Sequence, residues 1–425
     1  MSVPSRVDTV VVGAGHSGIG MSHFLTQAGR DHVVLERRAT LGGGWQDRWD
    51  NFCLVSPNWV ASFPGMPYDG TDPDGFMPRD EIAGRVARYA AAVKAPVVLE
   101  TAVMRLTTRP AGGFAVETTD GVIEADNVVV ATGSFHSPRI PAFAAALPRR
   151  IVHLHSHEYR NEAALPSGAV LVVGSGQSGT QIVEELNEAG REVYLSVGNA
   201  ARMPRRYRGR DIFRWMDELI RRGPRVGVTM PTVDGLPDPR MRFAGNPHLS
   251  GHGGGHDINL RAMAASGVVT LLGHLDGIDG ERLQLAPDLP RNLAWADAFF
   301  GERLQPPIDR FIDLAGIDAP ADDRPTVEFD PPVLPELDLA KAGISTVIWT
   351  GGYAVDYRWI DLPIFAERGM PVHRRGVTDV PGLYFLGLLW QYNQTSATLF
   401  GPSLDGPHIA QAMGLRLPAD DVVLV

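Results

Sequence analysis

Apolar residues along this chain gather in short unbroken runs, TVVV at 9–12, VVLE at 33–36 and VVVA at 128–131. Runs of that length, flanked by glycine, predict strands buried on both faces of a parallel sheet. The first run passes through a glycine turn into helical sequence reaching Gly29, and the second run follows, which is the βαβ order. From residue 169 the same succession returns: strand, glycine turn, helix, Ala189-Gly190, and a strand over 193–196. Ile182, Val183, Leu186 and Ala189 share one helical stripe, as a helix laid on a sheet requires. The run at 345–352, STVIWTGG, resumes the sheet pattern, and residues 97–119 read as strands of a small antiparallel sheet. Residues 59–78 are too rich in Pro and Gly for regular structure and predict a binding loop or lid.

The pattern predicts an α/β fold with two Rossmann-like dinucleotide-binding domains, the second inserted in the first. Residues 1–165 and 346–425 form the first domain and 166–345 the second, with a helical and loop insert at about 200–330. It is one domain-scale duplication and not a short-period array.

Each unit carries G-x-G-x-x-G in the confirming context, between an apolar strand and a helix. The glycines are Gly13, Gly15 and Gly18 in VVVGAGHSGIG, and Gly174, Gly176 and Gly179 in LVVGSGQSGTQI. The first glycine makes the tight turn, the second admits a pyrophosphate, and the third lets helix approach strand. Free N–H groups at the helix start then bind the phosphates. The ends of the second strands separate the copies. Glu36, followed by Arg37 and Arg38, offers a carboxylate to the ribose hydroxyls of an adenosine, as in FAD or NAD. The second copy has Ser196 and Val197 there, and RMPRRYRGR follows, with Arg202, Arg205 and Arg206. A lost carboxylate and gained guanidinium groups point to a 2′-phosphate and hence NADPH.

Composition narrows the picture. With 425 residues, 44% hydrophobic and 21% charged, the chain has the makeup of a multidomain globular protein. The formal net charge of −10 argues against nucleic acid or an anionic membrane as partner. No apolar run is long enough to span a bilayer and no signal-peptide pattern is present, so a cytoplasmic location is expected. The single cysteine, Cys53, excludes dithiol chemistry, and redox work falls to a bound cofactor.

The chain resembles the class B flavoprotein monooxygenases: the flavin-containing monooxygenases with their bacterial Baeyer–Villiger and plant auxin-forming relatives. The resemblance rests on GAGHSG, on LGGGWQDRW at 41–49, on FPGMPY, on ATG at 131–133 and on GSGQSG. HLHSHEY at 153–159 is similar to the end of the family fingerprint, with His155, Ser156 and Tyr159 in place but its expected glycine missing. The resemblance implies an FAD-dependent monooxygenase that uses NADPH and O₂, through a C4a-(hydro)peroxyflavin, to oxygenate a small organic substrate at N, S or a carbonyl. By matching position it implies Gly13, Gly15, Ser17, Gly18, Glu36, Arg37, Gly43, Trp45, Arg48, Trp49, Val103 and Thr132 for FAD. For NADPH it implies Gly174, Gly176, Gln177, Ser178, Gly179, Ser196, Arg202, Arg205 and Arg206. Asn58, before FPGMPY, and Asn393 and Gln394 in WQYNQTSATLF are candidates to face the reactive flavin edge, although any of them can equally be an amide satisfying loop backbone.

His248, His252 and His256 have metal-like spacing, but four glycines and Pro247 in the stretch argue against a helix, so no metal is assigned. The aromatic cluster Trp45, Trp49, Phe52, Trp59 and Phe63 is either core or a pocket wall. Two rival functions remain: an NADPH-dependent flavin reductase without oxygen insertion, and a non-catalytic flavoprotein sensor, which has no use for two phosphate cradles.

Overall fold

The computed structural model describes residues 3–243 and 245–418. The first domain is built on β1 (Arg6–Val12), α1 (His16–Gln27) and β2 (His32–Leu35). It continues with α2 (Arg79–Ala92), β3 (Val97–Val98), β4 (Val103–Thr108), β5 (Phe114–Thr118) and β6 (Gly121–Val130). The sheet order is β3-β2-β1-β6-β5-β4, and the strand Leu383–Phe385 adds to β6 in parallel. Val10, Val11, Val128 and Val129 are fully buried because helices or loops cover both faces, which is why these strands read as unbroken apolar runs.

The second sheet runs Thr270–Leu272, Val193–Ser196, Ala169–Val173, Ile344–Trp349, Val152–His155, with every pairing parallel. Helix α3 (Gln177–Glu188) lays Ile182, Val183 and Leu186 on it, while Ala189 lies past the helix end and is exposed.

This sheet corrects the expected domain boundaries. The strand at 344–349 does not resume the first sheet. Val347 pairs with Leu171 on one side and His153 on the other, in the second sheet. Trp349 is buried in the second core against Phe143, so its apolar face is satisfied there. Residues 152–155 likewise leave the expected first domain. The two domain crossings, 131–151 and 350–382, are hydrogen-bonded to each other as an antiparallel pair, Ser137–Pro138 with Tyr353–Ala354.

The 200–330 insert contains helices Ile212–Arg222, Leu289–Phe299 and Gln305–Leu314. It also holds strands Leu275–Asp279 and Arg282–Leu285, which join Glu336–Asp338 in an antiparallel sheet that the sequence reading missed. The Pro- and Gly-rich stretch at 59–78 is irregular as expected, yet tightly held. The buried Arg85 on α2 donates to Ala61 O (2.7 Å) and Pro67 O (2.8 Å) and pairs with Asp69, and Tyr89 Oη donates to Pro64 O. Such anchoring leaves it a fixed wall between elements and not a free lid.

Candidate functional site

The two glycine turns share one geometry. Gly13 has φ +102° and Gly174 φ +111°, conformations that disfavour any side chain. A Cβ on Gly18 would fall 1.8 Å from Gly13 O, and one on Gly179 2.0 Å from Gly174 O, so both third glycines exist for helix–strand contact. Around the middle glycines, Gly15 and Gly176, a Cβ would meet nothing within 4 Å. Each is the N-cap of its helix and supplies no capping side chain, leaving the first-turn N–H groups for an anion. Ser178 sits half-buried in that first turn of α3.

A cavity of about 420 Å³ opens over the first turn. It is lined by Gly13, Gly15, Ser17, Glu36, Arg37, Gly43, Trp45, Arg48, Val103 and Thr132 among the residues expected at FAD. Gly18 lies beneath them in the helix–strand contact. Trp49 is a correction: it is 2% exposed, meets Phe52 edge-on at 5.1 Å, and packs beside Tyr159 in the core. Of the aromatic cluster only Trp45 reaches the cavity; Phe63 stacks on Tyr89 and Trp59 lies under Arg214.

Glu36 is fixed by the turn it serves. Oε2 accepts from Ala14 N (2.9 Å) and Oε1 from Arg38 N (3.0 Å), and each oxygen retains a lone pair. Arg38 in turn pairs with Asp47. Five polar atoms of the cavity lining, His16 Nε2, Arg48 Nε, Thr132 Oγ1, Ser134 Oγ and His136 Nε2, are buried without a hydrogen-bond partner. Each such atom costs about 1–3 kcal/mol unless a ligand satisfies it. Burial pushes His16 down to about 4 and His136 in the same direction, so both rings are neutral donors or acceptors at pH 7. Burial also lowers Arg48, which stays cationic and stacks over Phe52 and Phe135. A polar dinucleotide with a dianionic pyrophosphate fits this chemistry.

The sequence reading missed His16, Arg38, Ser134, Phe135, His136, Tyr353, Asp356 and Trp359 on this cavity. His16 stands inside the glycine motif and was legible there. Tyr353 ends the Thr350-Gly351-Gly352-Tyr353 segment, whereas Asp356 and Trp359 carry no motif, and all three arrive through the second domain crossing. In the HSHEY segment, His157 lines the cavity, His155 Nε2 bonds Gly352 O, and Tyr159 Oη donates to Glu185 on α3.

Around the second turn several expected ligands are already engaged. Gln177 uses both ends of its amide on Leu249, Nε2 donating to its O (2.6 Å) and Oε1 accepting from its N (3.0 Å). Ser196 is 1% exposed and donates to Gly273 O. Arg205 is a correction. Its side chain is 3% exposed, pairs with Asp211, donates to Val55 O (2.6 Å) and Ser250 O (2.9 Å), and lies over Phe76. A guanidinium so committed closes the seam between the domains and is not offered to a 2′-phosphate. Arg206 is exposed on a two-residue strand paired with Arg210–Asp211. Arg202 holds Asp297 through Nε at 2.7 Å.

None of the three proposed flavin-facing amides lines the large cavity. Asn58 is 6% exposed and donates to Asp72 O, holding its loop. Asn393 is 2% exposed, and its Oδ1 accepts from Thr395 N and Oγ1 in a local turn. Gln394 is half-buried beside it, and it is Ala397 of that segment that reaches the cavity. His252 and His256 lie against Glu188 and Glu184 of α3.

Residues 10–221 match the family model described as pyridine nucleotide-disulphide oxidoreductase. Over 405 residues the chain is 32% identical to an uncharacterized CzcO-like oxidoreductase of Geobacillus kaustophilus, covering 95% of this chain and 97% of that protein. The rice indole-3-pyruvate monooxygenase YUCCA1 (Oryza sativa subsp. japonica) is 30% identical over 216 residues, 50% of this chain and 53% of its own. A flavin-containing monooxygenase from Stenotrophomonas maltophilia superposes with a TM-score of 0.63 at 21% identity, over 97% of this chain and 99% of that one, a likeness of fold. Among the described residues no helix is long and apolar enough to cross a membrane.

Proposed function

Because the chain belongs to the class B flavoprotein monooxygenases and is therefore an oxidoreductase, we propose that it binds FAD at the first glycine turn and NADPH at the second, and oxygenates a small organic molecule with O₂. The observation that carries this reading is the repeated turn geometry: two open middle glycines, each at the start of an uncapped helix.

When bound, FAD would supply hydride acceptance from the nicotinamide and the transfer of one atom of O₂ to the substrate, the other leaving as water. The chain's own work is binding and exclusion. Glu36 receives the ribose hydroxyls, the α1 amides take the pyrophosphate, and Arg48 supplies a fixed positive charge in the lining. The neutral His16 and His136 offer unpaired ring nitrogens to ligand polar atoms. Val197 in the place corresponding to Glu36 leaves no carboxylate to repel a 2′-phosphate, which supports NADPH. No acid–base triad is required, since the hard chemistry is the cofactor's.

Stopped-flow absorbance tests the reaction class by mixing NADPH-reduced protein with O₂. A persistent spectrum distinct from both reduced and oxidised flavin, decaying only slowly to oxidised flavin and H₂O₂ when no substrate is present, is expected. Immediate return to oxidised flavin with one H₂O₂ per flavin identifies a reductase instead. Protein that takes up no FAD refutes both.

A further inference from the structure

Trp390 stands in a conformation that its side chain disfavours, with φ +52°. Gln391 N donates to Leu388 O (3.2 Å) and closes a four-residue turn with Leu389 and Trp390 at its centre. Left-handed backbone at the third position of such a turn is the ordinary place of glycine or asparagine, and a bulky ring there is an outlier. The fold gives the indole nothing in exchange. It is half-buried, yet among the described residues it joins none of the apolar clusters, meets no other ring and finds no hydrogen-bond partner for Nε1.

Strain of this kind persists only where the surroundings over-determine it. Gln391 is fully buried; its Oε1 accepts from Leu388 N (3.3 Å) and its Nε2 donates to Arg375 O (3.5 Å). Arg375, itself at φ +49°, lays its guanidinium 3.9 Å from the centre of the Tyr392 ring, donates to Leu404 O (3.0 Å) and pairs with the buried Asp405. Ser396 Oγ accepts from Tyr392 N (3.1 Å) and Asn393 N (3.2 Å), and its proton goes to Asp405. The turn is gripped on both sides. Gly387 before it and Ala397 after it both line the large cavity. They follow the strand Leu383–Phe385, which joins the sheet beside β6, across β1 from β2 and Glu36. With Glu36 at the adenosine ribose, this is the flavin end. Trp390 is not part of the cavity lining, so the cofactor does not account for its ring. Val233 N donates to Tyr392 O (2.7 Å), which brings the insert of the second domain against the same segment.

We propose that Trp390 is a specificity-determining residue of the oxygenation site and that its indole receives a flat aromatic ring of the substrate. This rests on the reading of the chain as a monooxygenase whose flavin lies over the first turn. An aryl substrate answers to these observations together. It covers indole surface that the fold leaves unpacked, and it gains the stacking preference of two rings. It also meets a turn that is already fixed, so little ordering is left to the binding step. An aliphatic substrate gains buried area alone.

The test is a pair of probes, methyl phenyl sulfide and diethyl sulfide, turned over by the FAD-loaded enzyme with NADPH and O₂. Each turnover consumes sulfide, NADPH, O₂ and a proton, and yields sulfoxide, NADP⁺ and water. Wild type is expected to prefer the aryl sulfide by about tenfold in kcat/KM, the worth of one stacked ring. Trp390→Gly suits the left-handed backbone, so FAD content and melting temperature should stay near wild type. Its aryl preference should collapse to within about twofold, through a rise in KM for the aryl sulfide. Trp390→Phe keeps a ring and should retain most of the preference, a rescue that a merely structural role would not show. Trp390→Asn, also at home in this backbone, reads the same loss if the Gly variant fails to fold. A preference that survives in both the Gly and Asn variants, or that wild type lacks, overturns the proposal. So does wild type that shows the persistent flavin spectrum with O₂ yet oxygenates neither sulfide. Wild type with neither sulfoxide nor that spectrum instead removes the monooxygenase reading, and the proposal falls with it.

Discussion

Gly15→Ala separates cofactor binding from folding more cleanly than any other substitution at the site. An added Cβ at Gly15 meets no atom within 4 Å, and its backbone, φ −73° and ψ 179°, is open to every residue. The folding cost is then confined to the loss of glycine's mild preference at an N-cap, below about 1 kcal/mol. The methyl group does occupy the space through which a pyrophosphate must approach the α1 amides. Displacing even one phosphate–amide bond forfeits about 1.5–3 kcal/mol, a loss of about ten- to a hundredfold in FAD affinity. Gly18→Ala is the opposite case: its Cβ would lie 1.8 Å from Gly13 O, so α1 must move off β1 before the chain can fold. The second turn repeats the contrast, with Gly176→Ala in open space and Gly179→Ala 2.0 Å from Gly174 O. Flavin-to-protein absorbance ratio, FAD titration of apoprotein by fluorescence quenching, and thermal melts resolve the four variants. Gly15→Ala should melt near wild type as apoprotein yet lose flavin, and Gly176→Ala should keep flavin and lose the nicotinamide nucleotide. Should Gly15→Ala retain FAD within twofold of wild type, the open space over the turn is not the phosphate path and the cofactor assignment fails.

Three further outcomes follow from the same geometry. Arg205→Met strands Asp211 and two backbone carbonyls at the seam, costing about 3–5 kcal/mol in denaturant unfolding, with no change in the NADP⁺ to NAD⁺ affinity ratio; a selective loss of NADP⁺ would return Arg205 to the 2′-phosphate. Arg48→Met removes a guanidinium from the cavity lining and should lower FAD affinity by about tenfold, measured by apoprotein titration; unchanged affinity would show that the cofactor does not meet it. The bond to Glu184 raises His256 above its ordinary 6.5, so its contribution to stability is complete below that value and disappears as pH climbs through the raised one. Melts of wild type against His256→Gln should differ most at about pH 6 and converge in alkali, and a constant difference would refute the pairing.

Much of the scaffold was legible because its signals are local. A glycine that must adopt φ near +100°, or that must admit a neighbouring backbone, leaves a spacing in the sequence, and strands buried on both faces leave unbroken valines. What failed was information carried by pairing between distant segments. The run at 344–349 has a good strand signature, but nothing in it says which sheet it joins. That choice depends on Val347 meeting Leu171 and His153. Arg205 and Arg206 are adjacent in a basic stretch, yet one is buried under Phe76 and the other exposed, a difference set by the Asp211 hairpin and the loop at 55. Asn393 looked like a flavin-facing amide and is a local turn, since its oxygen is nearer to its own chain than to any cavity. Gln177 stands on the second turn, but its clasp on Leu249 connects positions far apart in sequence and left no trace in the motif.

The two strands that carry the chain from one sheet to the other and back lie side by side, joined at Ser137–Pro138 and Tyr353–Ala354. A single tether would let the halves swivel, whereas a ribbon of two bends across its flat face and resists torsion. Ser137 and Tyr353 also border the large cavity, so the ribbon that ties one sheet to the other is at the same time part of the cavity wall.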